Sequence, residues 1–344
     1  MAAATLYPWQ HDAWAQLQQM RSRLPHAILF QGPPGIGKVA LAEQFAQSLL
    51  CESLQADGHA CGACASCGWF AQYSHPDYRR IRPEALDEGS TDEEAEEGEA
   101  KKSGKAAKNP SKEIRIEQVR QIGDWINVST HRSGKRVVLL YPAEALNTAS
   151  ANSLLKTLEE PPAETVFLLV SHAPDGLLPT ILSRCHRFSL AIPAQEQALA
   201  WLQEQGVAEA QAWLAEQGGA LLLAHAMAQG ETREILEALL NQLARPDRDS
   251  ALKLAAQLQK ESPAALVVWL QRWLSDLFSV KLAGRVRYYP RYHKQLAALA
   301  ARTDAAALQR MAKSLNERRA IAEHPLAARL FIEDMLLDYS ALFS

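Results

Sequence analysis

The sequence of 344 residues predicts an α/β domain with a parallel sheet, followed by a region made only of helices. Short apolar runs at residues 27–30, 137–140 and 165–171 alternate with helical patterns, which is typical of a parallel sheet covered by helices. From Ala194 onward, helical spacing continues without a strand pattern. We therefore predict three domains: α/β at residues 1–192, a small helical domain at 193–230, and a helical domain of about five helices at 231–344.

Each element of the first domain has its own pattern. Trp14 and Leu17 are three residues apart in one predicted helix, and Val119 and Ile122 have the same spacing in another. Apolar or β-prone runs between turn residues predict the strands. The predicted helices lie at residues 11–23, 38–50, 114–122 and 149–160. The predicted strands lie at residues 27–30, 78–81, 137–140, 165–171 and 186–190, and the segment 177–182 precedes the last of them.

Composition limits the classes of function. The chain is 48% hydrophobic and has a net charge of −3, which is enough apolar content for packed cores but too little positive charge for a strong DNA binder acting alone. Residues 1–10 lack the pattern of a signal peptide, and the clearest apolar run, at 166–170, is too short to cross a bilayer. We expect a soluble, cytoplasmic protein.

The segment GPPGIGKV at residues 32–39 matches seven of the eight positions of the phosphate-binding template G-x-x-x-x-G-K-[ST]. It lies between a predicted strand and a predicted helix, as that template requires. Gly32, Gly35 and Gly37 let backbone N–H groups face a phosphate, and Lys38 reaches the outer phosphates. The alternative is a glycine- and proline-rich turn with an unrelated lysine.

The positions that would serve hydrolysis are missing. Val39 stands where a hydroxyl would bind Mg²⁺, and Tyr141 and Pro142 follow the strand where Asp and Glu are expected. Glu144 lies two positions beyond the expected glutamate, and only a local bulge would bring it back. The sequence predicts no Mg²⁺ site and no ATPase activity, and it leaves ATP or ADP binding undecided.

Four cysteines lie close together in the sequence and predict a structural metal site. They have the pattern C-x2-C-x2-C with one further cysteine upstream, and four thiolates suit tetrahedral Zn²⁺. The iron–sulfur alternative lacks the continuation x3-C-P, and reduced free thiols are the other alternative. His59 and His75 are spare ligand candidates. The predicted ligands are Cys51, Cys61, Cys64 and Cys67.

Two further segments differ in composition from their surroundings. Residues 87–99 contain eight acids and residues 101–112 contain five lysines, which predicts a disordered insertion at 87–112; a partner-binding segment is the alternative. Residues 285–294 combine basic residues with tyrosines. They could contact nucleic acid, although a solvated loop between helices is favoured.

Six segments together resemble the AAA+ clamp-loader subunits of bacterial DNA polymerase III. The resemblance is close over residues 5–192 and is one of architecture beyond them. It is carried by YPWQ at 7–10, LFQGPPGIGK at 29–38, the four-cysteine segment, HPD at 75–77, NSLLKTLEEPP at 152–162 and ILSRC at 181–185. The resemblance implies a P-loop NTPase-like domain, a helical lid at 193–230 and a collar for oligomerisation at 231–344.

The departures from the family pattern favour a subunit that does not hydrolyse ATP over the tau/gamma type, which does. The tau/gamma type would have Ser or Thr at position 39, acids at 141 and 142, and an arginine in the lid. Residues 217–221 of the lid contain no arginine. The alternative is an active ATPase in which Glu144 replaces the missing acids. A zinc-dependent DNA-binding protein is excluded because no basic recognition helix accompanies the cysteines.

The resemblance also gives Arg184 a role. In this family, the arginine of the SRC motif contacts the γ-phosphate held by a neighbouring subunit, as an arginine finger supplied in trans. An internal salt bridge is the alternative role, and Arg187 is the nearest alternative residue. The implied partners are the tau/gamma and delta subunits, with the sliding clamp and primer–template DNA reached through the complex during DNA replication.

Overall fold

The computed structural model describes residues 6–86, 110–127, 134–230, 232–322 and 327–343. The chain forms two compact units, Met1–Ile192 and Pro193–Ser344. Most of the insertion predicted at 87–112 lies outside the described residues. Within them, no helix is both long enough and apolar enough to cross a membrane.

A five-stranded parallel sheet forms the centre of the first unit, in the order β2-β3-β4-β1-β5. The strands are β1 Ala27–Gln31, β2 Tyr78–Ile81, β3 Arg136–Leu140, β4 Thr165–Ser171 and β5 His186–Ser189. Gln31 pairs with Ser171, and Leu140 pairs with Leu169. Because all strands are parallel, the loops that follow β1, β3 and β4 come together at one edge.

Helices cover both faces of this sheet. They are α1 His11–Met20, α2 Lys38–Leu50, α3 Ala65–Ala71, α4 Ile116–Ile126, α5 Thr148–Glu159 and α6 Pro179–Leu182. Ile28 of β1 packs into one core with Leu41 of α2, and its neighbour Leu29 packs into the other with Leu154 of α5. Alternate residues of one strand therefore supply opposite cores, which explains the continuous apolar runs in the sequence.

The strand predictions agree with the structure to within one residue at each end. Helix α3 was not predicted, because its sequence ASCGWFA contains a glycine and lies within the cysteine motif. The helix predicted at 11–23 has a 3₁₀ turn, Arg21–Arg23, as its last part.

The described residues of the second unit form helices joined by turns and loops, without a strand. Its helices are α7 Gln195–Glu204, α8 Ala210–Glu216, α9 Leu221–Gln229, α10 Thr232–Ala244, α11 Arg248–Leu258, α12 Pro263–Ala283, α13 His293–Arg302, α14 Ala305–Ile321 and α15 Ala328–Ala341. The described residues after 230 form six helices, where about five were predicted. The α13–α14 boundary has no glycine or proline; instead, Asp304 caps α14 by accepting a hydrogen bond from the Ala307 N–H at 2.6 Å. The division of this unit at residue 230 stays a prediction.

Candidate functional site

The phosphate-type loop follows β1 and leads directly into α2. Gly32 has φ +149°, and a Cβ placed on it would lie 2.5 Å from the backbone oxygen of Leu190. Gly37 has φ +84°, and a Cβ there would lie 2.7 Å from Tyr7 and from Gln10. These two positions therefore require glycine because of both backbone conformation and close packing.

The segment before α1 packs against the same loop. The Trp9 indole donates a hydrogen bond to the Ile36 carbonyl at 3.0 Å, and the Gln10 amide donates to the Gly37 carbonyl at 2.9 Å. The rings of Tyr7 and Trp9 stack with centroids 4.7 Å apart. Trp9 and Gln10 of the YPWQ motif therefore bind the backbone of the phosphate-type loop, which makes this motif part of the site.

Lys38 is the first residue of α2, and only 2% of its surface is exposed. Its ammonium group donates hydrogen bonds to the carbonyls of Gly32 at 2.7 Å and Pro33 at 2.5 Å. Burial lowers the pKa of Lys38 to about 8, and the negative charge of Glu144 opposes this shift. The lysine therefore lies within the loop, as the template predicts, and is bonded to the loop's own backbone.

Glu144 lies in a 3₁₀ turn, Ala143–Ala145, just beyond β3. One of its carboxylate oxygens accepts a hydrogen bond from the backbone N–H of His172 at 2.9 Å, and the other is buried without a partner among the described residues. Burial and the charge of Lys38 lower the pKa of His172. The turn thus brings Glu144 close enough to interact electrostatically with Lys38.

Val39 packs its apolar side chain against the core around α2.

Arg184 follows α6 and makes contacts within its own unit. Its guanidinium forms an ion pair with Glu159 at 2.5 Å and donates a hydrogen bond to the Thr180 carbonyl at 2.9 Å. The Arg184 side chain is 32% exposed and that of Glu159 is 47% exposed. The ion pair between Glu159 and Arg184 therefore joins the NSLLKTLEEPP segment to the SRC segment. Arg187 lies in β5, the edge strand, and is exposed.

The four cysteine sulfurs form a compact group. The distances from Cys51 Sγ to Cys64 Sγ and to Cys67 Sγ are 3.9 and 3.7 Å, and Cys61 Sγ lies 4.0 Å from Cys67 Sγ. All four sulfurs lie within 4.8 Å of one another. A tetrahedron with metal–sulfur bonds of about 2.3 Å has sulfur–sulfur distances of about 3.8 Å. The four cysteines could therefore hold a metal ion.

Comparison with known proteins places the chain in a family. A sequence profile described as "DNA polymerase III, delta subunit" matches residues 9–194, and one described as "DNA polymerase III, delta subunit, C terminal" matches residues 231–341. The chain belongs to the DNA polymerase III delta-subunit family. The resemblance drawn from the loop, cysteine and SRC motifs is confirmed.

Curated relatives in this family are named "DNA polymerase III subunit delta'". The one from Pseudomonas aeruginosa is 44% identical over 199 residues, which cover 58% of this chain and 53% of that protein. The one from Escherichia coli K12 is 35% identical over 202 residues, which cover 58% and 53%. The chain thus spans about half the length of the curated relatives it matches.

A solved structure supports the fold. It is a gamma subunit-related protein of DNA polymerase III from Thermotoga maritima, which matches with a TM-score of 0.50 and 16% identity and covers 97% of this chain and 100% of that one. The parallel sheet, the phosphate-type loop and the helical second unit confirm the AAA+ fold class.

The two histidines proposed as spare metal ligands of this delta-family chain have other partners. His75 Nδ1 accepts a hydrogen bond from the Asp77 N–H at 3.0 Å, and its Nε2 lies 2.8 Å from Ser66 Oγ, which donates to the Leu50 carbonyl. His59 stacks on Trp14 with ring centroids 4.3 Å apart. His75 therefore links α3 to the end of α2, and among the residues that the structure describes, the group that could hold a metal ion consists of the four cysteines.

Sequence reasoning missed His172 as a neighbour of the delta-family phosphate loop. Its one signal was its position, because it is the first residue after β4 and β4 pairs with β1. A residue at that place must lie at the sheet edge where the phosphate loop begins.

Proposed function

We propose that the chain acts as a non-hydrolysing, delta-prime-type subunit of the bacterial DNA polymerase III clamp loader. The observation that carries the proposal is a phosphate-type loop that keeps its glycines and Lys38 but has valine at position 39 and Tyr141-Pro142 after β3. Membership of the delta-subunit family supports it. In this role the chain loses the Mg²⁺ ligands of hydrolysis and keeps the architecture needed for assembly.

Arg184 would act on a neighbour's nucleotide. Its present partner, Glu159, is nearly half exposed, and an exposed ion pair contributes only about 0–1 kcal/mol. A γ-phosphate carries more negative charge and accepts a bidentate contact from arginine. Exchanging Glu159 for a neighbour's phosphate therefore costs little. The internal salt bridge and the finger are two states of one side chain.

Zinc is the metal we propose for the cysteine group. Four thiolates leave no open coordination position, so the ion would act structurally by joining the end of α2 to α3. The proposed partners are the tau/gamma and delta subunits, with residues 193–230 as lid and 231–344 as collar. Through the assembled complex the chain would serve the sliding clamp and primer–template DNA, in the cytoplasm.

An ATPase assay on the purified chain tests the non-hydrolysing role. We expect no turnover above background, and Lys38→Ala should not change it. The second candidate, an active ATPase, is favoured by the electrostatic interaction of Glu144 with Lys38. Turnover that falls in both Lys38→Ala and Glu144→Gln would establish that candidate instead.

The finger is tested in the reconstituted complex. Arg184→Ala should lower DNA-stimulated ATP hydrolysis by at least tenfold while assembly, followed by gel filtration, stays intact. Arg187→Ala is the matched control and should retain turnover. Glu159→Gln should leave hydrolysis intact or raise it, because it frees Arg184. Normal turnover in the Arg184→Ala complex would refute the assignment.

A further inference from the structure

A pocket of about 320 Å³ lies at the β2 edge of the sheet, and no feature of the proposed function uses it. We call it the β2 pocket. Its lining is formed by Tyr73, Tyr78, Arg79, Arg80 and Arg82. Three arginines and two tyrosines in one concave site present hydrogen-bond donors and positive charge together, which is the chemistry that recognises phosphate.

Arg80 is held in this pocket by an aromatic ring and one carboxylate. Its guanidinium lies over the Tyr73 ring at 3.9 Å from the centroid, and one nitrogen approaches Glu43 of α2 at 3.5 Å. Among the described residues it has no other polar partner. The side chain is only 17% exposed, so stacking fixes its plane while most of its N–H donors remain available.

The phenol of Tyr78 is the second unusual group. Only 2% of Tyr78 is exposed, and its hydroxyl is buried without a hydrogen-bond partner among the described residues. Burial, and then the charge of Glu43, raise the pKa of Tyr78, so the hydroxyl keeps its proton and can donate. A buried polar group without a partner is costly, and a ligand atom in the pocket would satisfy it.

The other charges at the pocket are accounted for. Arg79 donates to the carbonyls of His75 and Tyr78 and lies over the Trp125 ring, so it contributes charge more than free donors. Arg82 donates to the Tyr141 hydroxyl at 3.3 Å. Burial raises the pKa of Glu43, whereas Arg80 and Arg82 lower it. Glu43 approaches Arg80 and Asp77 acts on Arg79, so among the described residues the three guanidinium groups of the pocket outnumber these two carboxylates.

We propose that the β2 pocket is an anion site that takes a phosphate group, carried either by a free nucleotide or by the backbone of a nucleic-acid strand. Arg80 supplies the charged donors and Tyr78 supplies the neutral one. The exposed Tyr73 ring forms the rim, where a base could stack. The site lies on β2, whereas the phosphate-type loop follows β1, and two other strands separate them in the sheet.

The first experiment measures thermal stabilisation of the full chain by inorganic phosphate at constant ionic strength. We expect a rise in Tm that Arg80→Ala weakens by at least tenfold in apparent affinity and Tyr78→Phe by about threefold to tenfold. Arg80→Lys keeps the charge without the planar stack and should give an intermediate loss. Arg23→Ala, at an exposed arginine of the same unit, is the control and should bind as wild type does.

Lys38→Ala separates this site from the phosphate-type loop. Stabilisation that survives in Lys38→Ala and disappears in Arg80→Ala supports the β2 pocket, whatever the ATPase assays show. Stabilisation lost in Lys38→Ala and kept in Arg80→Ala refutes it. An unchanged affinity in Tyr78→Phe refutes the role of the phenol, and unliganded melting curves establish that each variant is folded.

The second experiment identifies the source of the phosphate. Anisotropy is measured for a labelled single-stranded oligonucleotide, and competition is measured with ATP. If the strand binds more tightly, the slope of log affinity against log salt should fall by about 0.7 in Arg80→Ala, as for one lost phosphate contact. If ATP competes and the strand binds no better than phosphate, the ligand is a nucleotide. Failure of phosphate, ATP and oligonucleotide to bind at all overturns the proposal.

Discussion

The carboxylate of Glu144 accepts a hydrogen bond from the backbone N–H of His172 at 2.9 Å, which joins the residues that follow β3 and β4. This bond occupies one oxygen of the only acid that the sequence offered as a substitute for the missing catalytic acids. Lys38 lies near the same carboxylate. The negative charge of Glu144 therefore offsets part of the positive charge of Lys38.

The pH dependence of stability should reveal the buried lysine. The pKa of Lys38 is lowered from 10.5 to about 8, so its charged form is the one that folding disfavours. Below pH 8 this cost is fully present, and it disappears as the pH rises from 8 to 10.5. The stability of the wild type relative to Lys38→Met should therefore increase over that interval, by on the order of 3 kcal/mol.

Thermal melts of both proteins at a series of pH values measure this difference. Tyrosines that titrate in the same interval affect both proteins equally, so they cancel. A difference that stays constant from pH 7.5 to 10 would show that Lys38 is solvated.

Metal content tests the cysteine group. We expect about one zinc ion per chain by elemental analysis, and Cys64→Ser should lose it and lower the Tm, because the group joins α2 to α3. Cys185→Ser is the matched control: Cys185 is buried outside the group, so its replacement should leave the metal in place. Iron in place of zinc would overturn the assignment.

A buried acid in the second unit should give the opposite pH dependence. Glu216 of α8 is 4% exposed, one of its oxygens is buried without a partner among the described residues, and burial raises its pKa from 4.5 to about 7. Its charged neighbours are Arg291, Glu237, Arg233 and Glu209. The neutral form is the one that folding favours, so its contribution is complete below pH 4.5 and is lost as the pH rises through 7.

Glu216→Gln keeps the neutral shape and should remove this loss. At pH 8.5 the variant should be more stable than the wild type by on the order of 3 kcal/mol, and near pH 5 the two should nearly coincide. Glu204→Gln, at an exposed site on α7, should show no such difference. Urea unfolding at the two pH values measures it, and equal stability at pH 8.5 would contradict the prediction.

Asp276 of α12 should be essential for the tyrosine-rich segment 285–294. This fully buried carboxylate accepts hydrogen bonds from the backbone N–H groups of Arg287, Tyr288 and Tyr289. Asn has only one acceptor oxygen and brings two donors to the site. Asp276→Asn should therefore cost about 2–4 kcal/mol. Hydrogen exchange at the three backbone amides measures this loss of stability. Unchanged protection of these amides in the variant would refute the role of Asp276.

The sheet could be predicted from sequence because its strands are buried on both faces. Residues 137–140 and 165–171 are apolar runs for this reason, and their observed bounds differ by at most one residue. The phosphate-type loop and the cysteine group were also predictable, because each is a local motif with fixed spacing. In the structure the loop joins β1 to α2, and the four sulfurs lie within 4.8 Å of one another.

The contacts between distant residues could not be predicted. Whether Glu144 approaches Lys38 depends on a 3₁₀ turn that has no clear sequence signal. The segment 285–294 was expected to be a solvated loop, but Tyr289 is 1% exposed and its amide is bonded to Asp276, which lies 13 residues earlier. Such pairs form only when helices pack, and no short window of sequence contains both partners.

Helix α2 is fastened at both ends. At its start, Gln10 donates to the Gly37 carbonyl and Lys38 is bonded to the loop backbone; at its end, Ser66 donates to the Leu50 carbonyl beside Cys51. Both ends of α2 are therefore bonded to other segments of the first unit, so we expect the helix to move only together with the phosphate-type loop and the cysteine group.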